Sequence, residues 1–278
     1  MVTARQINQH LLKGCEWIGL DKTVDSFRSG DPDRPVSRVA VGWMATIYDL
    51  RRAVELGCEL FVTHEPTFWE HWPPEGKYRD TPEGRPKAEL LEKSGIAVLR
   101  CHDAWDKWPG IGIRDSWARG LGLSKEAGVS QDGWSVMYEI EPTPLKAFAR
   151  QVLERVKPIG QDSVQAMGDP EIIVRRPCIG VGCYTPDLDL IDQGADCLIG
   201  NFDGNWYYWE KRERFVERGV GVLTVEHGCT EHWGMQNLAG YIRSTWPELT
   251  VHYLDLYPRP WTQQFISGMI FLRQMKSV

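Results

Sequence analysis

The sequence predicts an α/β protein built as two similar α/β lobes. Three observations lead there. Short apolar, β-branched runs alternate along the chain with stretches of helical periodicity, as in strand–helix–strand units. The helical stretches carry their own start and stop signals, such as Thr46 before and Gly57 after one of them. The alternation begins again near Asp132. The expected lobes are residues 1–130 and 131–278, with the last segment able to pack back on the first lobe.

Thr3-Ala4-Arg5-Gln6 has the form of a capping box, and Ile7, Leu11, Cys15 and Ile18 follow at helical spacing. Residues 25–35 read as a loop by composition. Arg38–Gly42 alternates as a strand, Thr46 caps a helix through Leu56, and Leu60–Val62 is a short buried strand. After a loop over 70–86, a helix from Pro86 to Ser94 stops at Gly95, and Ile96–Leu99 forms the next strand. Residues 114–121 read as helical.

In the second lobe Val136, Tyr138 and Ile140 alternate, and Thr143-Pro144 reads as an N-cap with proline at the first helical position. Leu145, Phe148, Val152 and Val156 line one face of that helix. Strands at 171–174 and 178–182, a helix from Thr185-Pro186 to Gly194, and a strand at 197–199 follow. A helix over 206–218, a strand over 220–224, a helix over 235–243 and a strand over 250–254 complete the pattern. An apolar cluster from Phe265 to Leu272 is too short to span a membrane and packs on the body or on a neighbouring subunit.

Three strand ends share one character. Val62-Thr63-His64-Glu65-Pro66, Leu99 to Asp106 and Thr224 to Glu231 each present a histidine within about four residues of an apolar run, where ligands gather in α/β sheets. His102 and His227 each have a carboxylate four positions on, Asp106 and Glu231. In a helical segment, such a pair lies on adjacent turns and can face one cation. A single strand-end histidine is ordinarily a structural hydrogen-bond donor. Three of seven, two with carboxylate partners, point instead to a shared metal site. His64-Glu65 is not the start of a zincin H-E-x-x-H motif. Position 68 is phenylalanine, and Pro66 opposes the helix that motif needs.

The net charge of −6 and the lack of a basic patch give no reason to expect nucleic acid as a partner. The seven cysteines are odd in number, with no C-x-x-C pair, so neither a disulfide framework nor a zinc ribbon is expected. No apolar signal region opens the chain and no apolar run reaches spanning length, so a cytoplasmic protein without a membrane partner is expected.

The order H-[HE]-P after a strand, then H-x-x-x-D, then H-x-x-x-E near the C-terminus resembles the NIF-three-like dinuclear metal centre proteins, the GTP cyclohydrolase type 2 homologues. The resemblance covers most of the chain, including the strand and helix before His64 and the Gly194-Ala195-Asp196 step. It implies two α/β lobes, two divalent metal ions (zinc, iron or manganese) in the cleft, and a ring-shaped homohexamer. By position, the family's metal ligands fall on His64, His102, Asp106, His227 and Glu231, with Glu65 where the family usually has a second histidine. Two further departures are Gly42-Trp43, where many members carry an acidic residue, and Gly200-Asn201, where Gly-Glu is common.

Together these readings imply a metal-dependent hydrolase of cyclohydrolase or phosphoester type that works through metal-activated water, with Glu65, Glu231 or His232 moving protons. The alternative is a non-enzymatic oligomeric metal-binding or regulatory protein. Glu226 and His71 stand near the ligands in sequence, and Cys101 and Cys229 are expected to be packed thiols. Trp69, Trp72, Trp105, Trp108 and Trp233 lie in or beside the ligand stretches. They either pack, or form an aromatic wall that stacks a nucleotide or other planar heterocycle, joined by Trp206, Tyr207, Tyr208 and Trp209.

Overall fold

The computed structural model describes residues 1–71, 76–182, 188–203 and 209–255. In chain order the first half holds α1 (Ala4–Leu11), a 3₁₀ turn (Leu12–Cys15), β1 (Phe27–Ser29), β2 (Arg38–Gly42), α2 (Ile47–Glu55), β3 (Leu60–Thr63), α3 (Arg85–Ser94), β4 (Ala97–Arg100), α4 (Asp103–Asp106) and α5 (Ile113–Leu121). There follow β5 (Lys125–Val129), β6 (Val136–Glu139), β7 (Thr143–Pro144), α6 (Leu145–Val156), a second 3₁₀ turn (Lys157–Ile159), β8 (Gln165–Met167), β9 (Ile173–Val174) and β10 (Pro177–Ile179). The last elements are α7 (Leu188–Asp192), β11 (Cys197–Asn201), α8 (Trp209–Glu217), β12 (Gly221–Val225), α9 (His227–Thr245) and β13 (Thr250–Leu254).

Two larger sheets organise these elements. The first has the order β1-β4-β3-β2-β13, with β4, β3, β2 and β13 parallel and β1 antiparallel at the edge. The second has the order β5-β6-β10-β11-β12-β8, with β10, β11 and β12 parallel and the others antiparallel. The chain leaves the second sheet at β12, runs through α9, and returns as β13 to pair with β2, Val251 opposite Val39. The final strand therefore belongs to the first sheet.

Side chains alternate across the first sheet as the pleat requires. Val39, Val41, Leu60, Val62, Ala97 and Leu99 meet α1 and α9 through Ile7, Leu11, Leu238 and Ile242. Ala40, Phe61 and Val98 meet α2 and α3 on the other face through Leu50, Ala53 and Leu91. With both faces covered, the strands read as continuous apolar runs. The second sheet repeats the scheme. Ile179, Ile199 and Leu223 face Leu145, Phe148 and Val152 of α6, while Leu198 and Val222 face Leu190 and Phe215.

The local signals hold where the partners are local. Thr3 and Gln6 close the capping box of α1, Thr46 accepts from the Asp49 amide, and Gly95 ends α3 in the left-handed conformation. Several readings change in the structure. The 25–35 loop contains β1, held by the edge of β4. β5 and β8 also close sheet edges that periodicity did not reveal. Thr143-Pro144 is not a cap: both residues sit in a ladder with β9, and the first amides of α6 donate instead to the carbonyls of Ile172 and Pro170. The last long helix starts at His227 and not near residue 235, so the third ligand stretch is a helix N-terminus. The Thr185-Pro186 helix start and the 265–272 cluster lie outside the described residues. Among the described residues, no helix is long and apolar enough to cross a membrane.

Candidate metal centre

The carboxyl ends of strands from both sheets converge on one cluster. After β3, the amides of His64 and Glu65 both donate to the Trp43 carbonyl just beyond β2, at 3.1 and 2.8 Å. The His64 ring is fixed from behind. Its Nδ1 lies 3.1 Å from the Cys101 carbonyl, which can only accept, so Nδ1 carries the proton and Nε2 faces the cluster.

After β4, His102 occupies the N-cap position of the single-turn α4. Asp25 takes over the capping: its carboxylate accepts from the amides of His102, Asp103 and Ala104 at 2.8–2.9 Å. That turn brings Asp106 round to His102, with Nδ1 and Oδ2 3.1 Å apart. The His64 and His102 rings stack with centroids 4.4 Å apart.

After β12, Glu226 is the N-cap of α9 and accepts from the Cys229 amide. His227 and Glu231 then lie one turn apart on the helix, 2.9 Å between Nε2 and Oε1. Asp203, just past β11, holds His227 Nδ1 at 2.5 Å. The two sheets meet through this pair. His64 Nε2 is 3.4 Å from Glu231 Oε2, and Glu65 Oε1 is 3.5 Å from His227 Nε2. From the second sheet Gly182, beyond β10, closes in so tightly that a β-carbon there would stand 3.0 Å from Glu231 Oε1.

All six residues expected as metal ligands, His64, Glu65, His102, Asp106, His227 and Glu231, are therefore brought together. Three sets offer ligand atoms within 4.8 Å of one another: His64, His102 and Asp106; His64, Glu65 and Glu231; and Glu65, His71 and His102. The cluster is buried, with His64 fully so and Asp106 and Glu231 each 1% exposed. Burial would depress the pKa of His64, but the Glu231 and Asp106 carboxylates hold it well above the ordinary value. Burial acts the same way on His102, where Asp106 prevails and lifts it to about 9. His227 is raised against burial by Glu231, Asp203 and Glu65. Burial works to raise Asp106 and Glu231, yet the facing imidazoles hold both below the usual carboxylate range.

His64 Nε2 and Asp106 Oδ2 are buried and, although each lies 3.1–3.4 Å from a facing imidazole or carboxylate, neither has a well-directed hydrogen bond. Such atoms are rare unless something else engages them. The donor set around them, imidazole nitrogens and carboxylate oxygens, suits a borderline or hard divalent cation, so the residues present fit one.

The neighbours divide into supports and bystanders. The Trp43 indole N–H donates to Glu231 Oε2 at 2.6 Å. His71 joins one ligand set, but its Nδ1 lies 2.9 Å from the Arg100 guanidinium, and burial holds its pKa down to about 3. His232 turns toward the far side of α9, where its Nδ1 lies 3.2 Å from the Tyr253 hydroxyl and 3.3 Å from Asp255. Cys101 and Cys229 are buried thiols outside any disulfide, as expected.

The aromatic wall is largely core. Trp105 is fully buried and donates to the Gly234 carbonyl, Trp108 packs on Trp105 and Tyr241, and Trp233 stacks on Trp117. Trp69 is different, at 45% exposed. Trp72, Trp206, Tyr207 and Tyr208 lie outside the described residues, and Trp209 is exposed on α8. Sequence reading missed Asp25, Gly182 and Asp203. Each acts across a fold-level contact that leaves no local spacing, although an acidic residue just past an apolar strand was a signal available for Asp203.

Residues 19–260 match the profile of the Duf34/NIF3 (NGG1p interacting factor 3) family. Among curated proteins, the chain is 26% identical over 231 residues to a GTP cyclohydrolase 1 type 2 homolog of Chlamydia pneumoniae, covering 81% of this chain and 86% of that one. A homolog of the same name from Clostridium perfringens is 23% identical over 216 residues, 73% of this chain and 76% of that one. Among solved structures, a Bacillus cereus protein related to NIF3 superposes with a TM-score of 0.75 at 13% identity, covering 95% of this chain and 99% of that one. A hypothetical protein of Staphylococcus aureus gives 0.76 at 16% identity, covering 95% and 100%. These two are likenesses of fold, and they extend the two-sheet architecture over nearly the whole of each chain. By the match over 19–260, the chain belongs to the Duf34/NIF3 family.

Proposed function

We propose that this protein is a metal-dependent hydrolase of cyclohydrolase or phosphoester type, built on a dinuclear metal centre. One observation carries the reading. The two oxygens of Glu231 are divided between imidazoles from different sheets, Oε1 toward His227 and Oε2 toward His64. A carboxylate so placed serves two cations better than one. Asp106 faces only His64 and His102, both delivered by the first sheet, and so belongs with them. His64, His102 and Asp106 would hold one ion; Glu65 and His227 would hold the other, with Glu231 between. Two zinc, iron or manganese ions bound there would supply an activated water and polarise a substrate oxygen. Asp25 and Asp203 keep His102 and His227 oriented. Glu65, the most exposed of the three carboxylates at 8%, is placed to take up and return a proton at its carboxylate oxygen, with Glu231 as relay; His232, turned toward Tyr253 and Asp255, takes no part in this proposal.

The relatives named as GTP cyclohydrolase homologs support a nucleotide or similar planar heterocycle as substrate. The remaining parts of the proposal are a homohexameric assembly and a cytoplasmic setting, with neither a membrane nor nucleic acid as partner. The second reading, a non-enzymatic metal-binding ring, shares every ligand and differs only in turnover.

Elemental analysis of protein kept from chelators is expected to give more than one divalent metal per chain, and Glu65→Gln to weaken the second ion selectively. A ratio near zero after supplementation would sink the metal centre. Chelator-sensitive hydrolysis in a screen of nucleotides and phosphoesters is expected. Metal-loaded protein inert across that screen would favour the non-enzymatic reading.

A further inference from the structure

We propose that the cavity between α2 and α3 is a binding site for a planar heteroaromatic anion, its ring laid on Trp69 and its acidic group at Arg51. The cavity encloses about 450 Å³ and is lined by Met44, Tyr48, Arg51, Trp69, Glu83 and Lys87 among others. That volume falls within the range of small-molecule pockets, roughly 300–1,000 Å³. A second cavity of about 330 Å³, bounded by Tyr78 and Glu83, lies against the same indole.

Trp69 is the only non-glycine among the described residues in the left-handed region, with φ at +66°. A bulky side chain adopts that backbone only when its surroundings impose it, and such outliers cluster at functional positions. Here burial is not the reward, because the ring remains 45% exposed. Lys87 holds it in place. This lysine is 3% exposed, its ammonium donates to the Thr67 carbonyl, and it sits 4.6 Å from the Trp69 ring centroid. The cation braces the indole, leaving the exposed part of the ring to a ligand.

The rim supplies the polar groups. Arg51, exposed on α2, offers the planar fork that suits a phosphate or carboxylate. Tyr48 adds a second exposed aromatic ring, and the Glu83 carboxylate can accept from ring N–H groups. The cavity begins at Met44, next to the Trp43 that holds Glu231, and Trp69 lies four positions beyond Glu65. The site stands independently of the hydrolase reading, because occupancy is read without turnover.

The test is calorimetric titration of the metal-loaded full chain with purine 5′-monophosphates (AMP and GMP), the matching nucleosides, and inorganic phosphate. At least one monophosphate is expected to bind tenfold or more tighter than both its nucleoside and phosphate. Trp69→Gly should weaken that binding tenfold or more while leaving the metal count unchanged and the melting temperature no lower, since glycine takes this φ without strain. Arg51→Gln, an exposed change, should bring the monophosphate down to the affinity of its nucleoside. Monophosphates binding no tighter than phosphate, or a Trp69→Gly protein with parental affinity, would overturn the assignment. In either case the cations alone, and not the cavity, would be engaging the ligand.

Discussion

Gly182→Ala tests whether the second sheet closes the metal centre. Gly182 has φ at +52°, and a β-carbon there would lie 3.0 Å from Glu231 Oε1 and 3.3 Å from His227 Nε2. The substitution combines two penalties. An L residue in the left-handed region costs about 1–2 kcal/mol. The second penalty falls on the site, where the carboxylate and imidazole must yield by a few tenths of an ångström.

Gly219→Ala supplies the control: φ is +75° there, and an added β-carbon meets nothing within 4 Å. It carries only the backbone penalty. Both variants should therefore lose melting temperature by about 2–8 °C, at roughly 2–4 °C per kcal/mol for a chain of this size. Metal affinity separates them. Disturbed ligand support costs about 10–100-fold in affinity, so Gly182→Ala should lose at least tenfold, while Gly219→Ala binds like the parent. Competition against a chromophoric chelator measures this directly. If Gly182→Ala binds metal with parental affinity, Gly182 does not press on working ligands and the account of the closed site is wrong.

Two further outcomes follow from the same geometry. In metal-free protein, His64, His102 and His227 have folded pKa values above the unfolded value near 6.5, His102 at about 9. Their contribution is fully present below about pH 6.5 and lost as pH rises through the folded values, so the melting temperature of chelated protein should fall between pH 6.5 and 9. Metal-loaded protein, whose imidazoles bind as neutral ligands, should not show that fall; a flat profile in the chelated sample would contradict the assigned ion pairs. Trp43→Phe removes the 2.6 Å indole donor from the buried Glu231 carboxylate. A hydrogen bond to a charged group contributes about 1.5–3 kcal/mol, and denaturant unfolding of the metal-free variant should show a loss of that order. An unchanged midpoint would mean that Glu231 does not depend on this donor.

Features whose physics is local could be read from the sequence. Thr3 with Gln6, Thr46 with Asp49, and Gly95 mark helix ends because the groups they satisfy lie within four residues. His64, His102 and His227 were legible because each follows a buried strand, and the His102–Asp106 and His227–Glu231 pairs because helical spacing turns both members the same way. Contacts made across strands and between sheets emerge only when the chain is folded. β13 joins β2, and β1 joins β4, through ladders whose partners lie far away in the chain. Thr143-Pro144, a cap by local grammar, is drawn into a ladder because β9 offers it partners. Asp25 caps α4 from 77 residues away, Trp43 reaches Glu231 across 188, and Trp105 is sealed in the core under Gly234. Periodicity records which face of an element is apolar, but not which distant element will cover it. That choice is made when the sheets assemble, and it decides which imidazole meets which carboxylate.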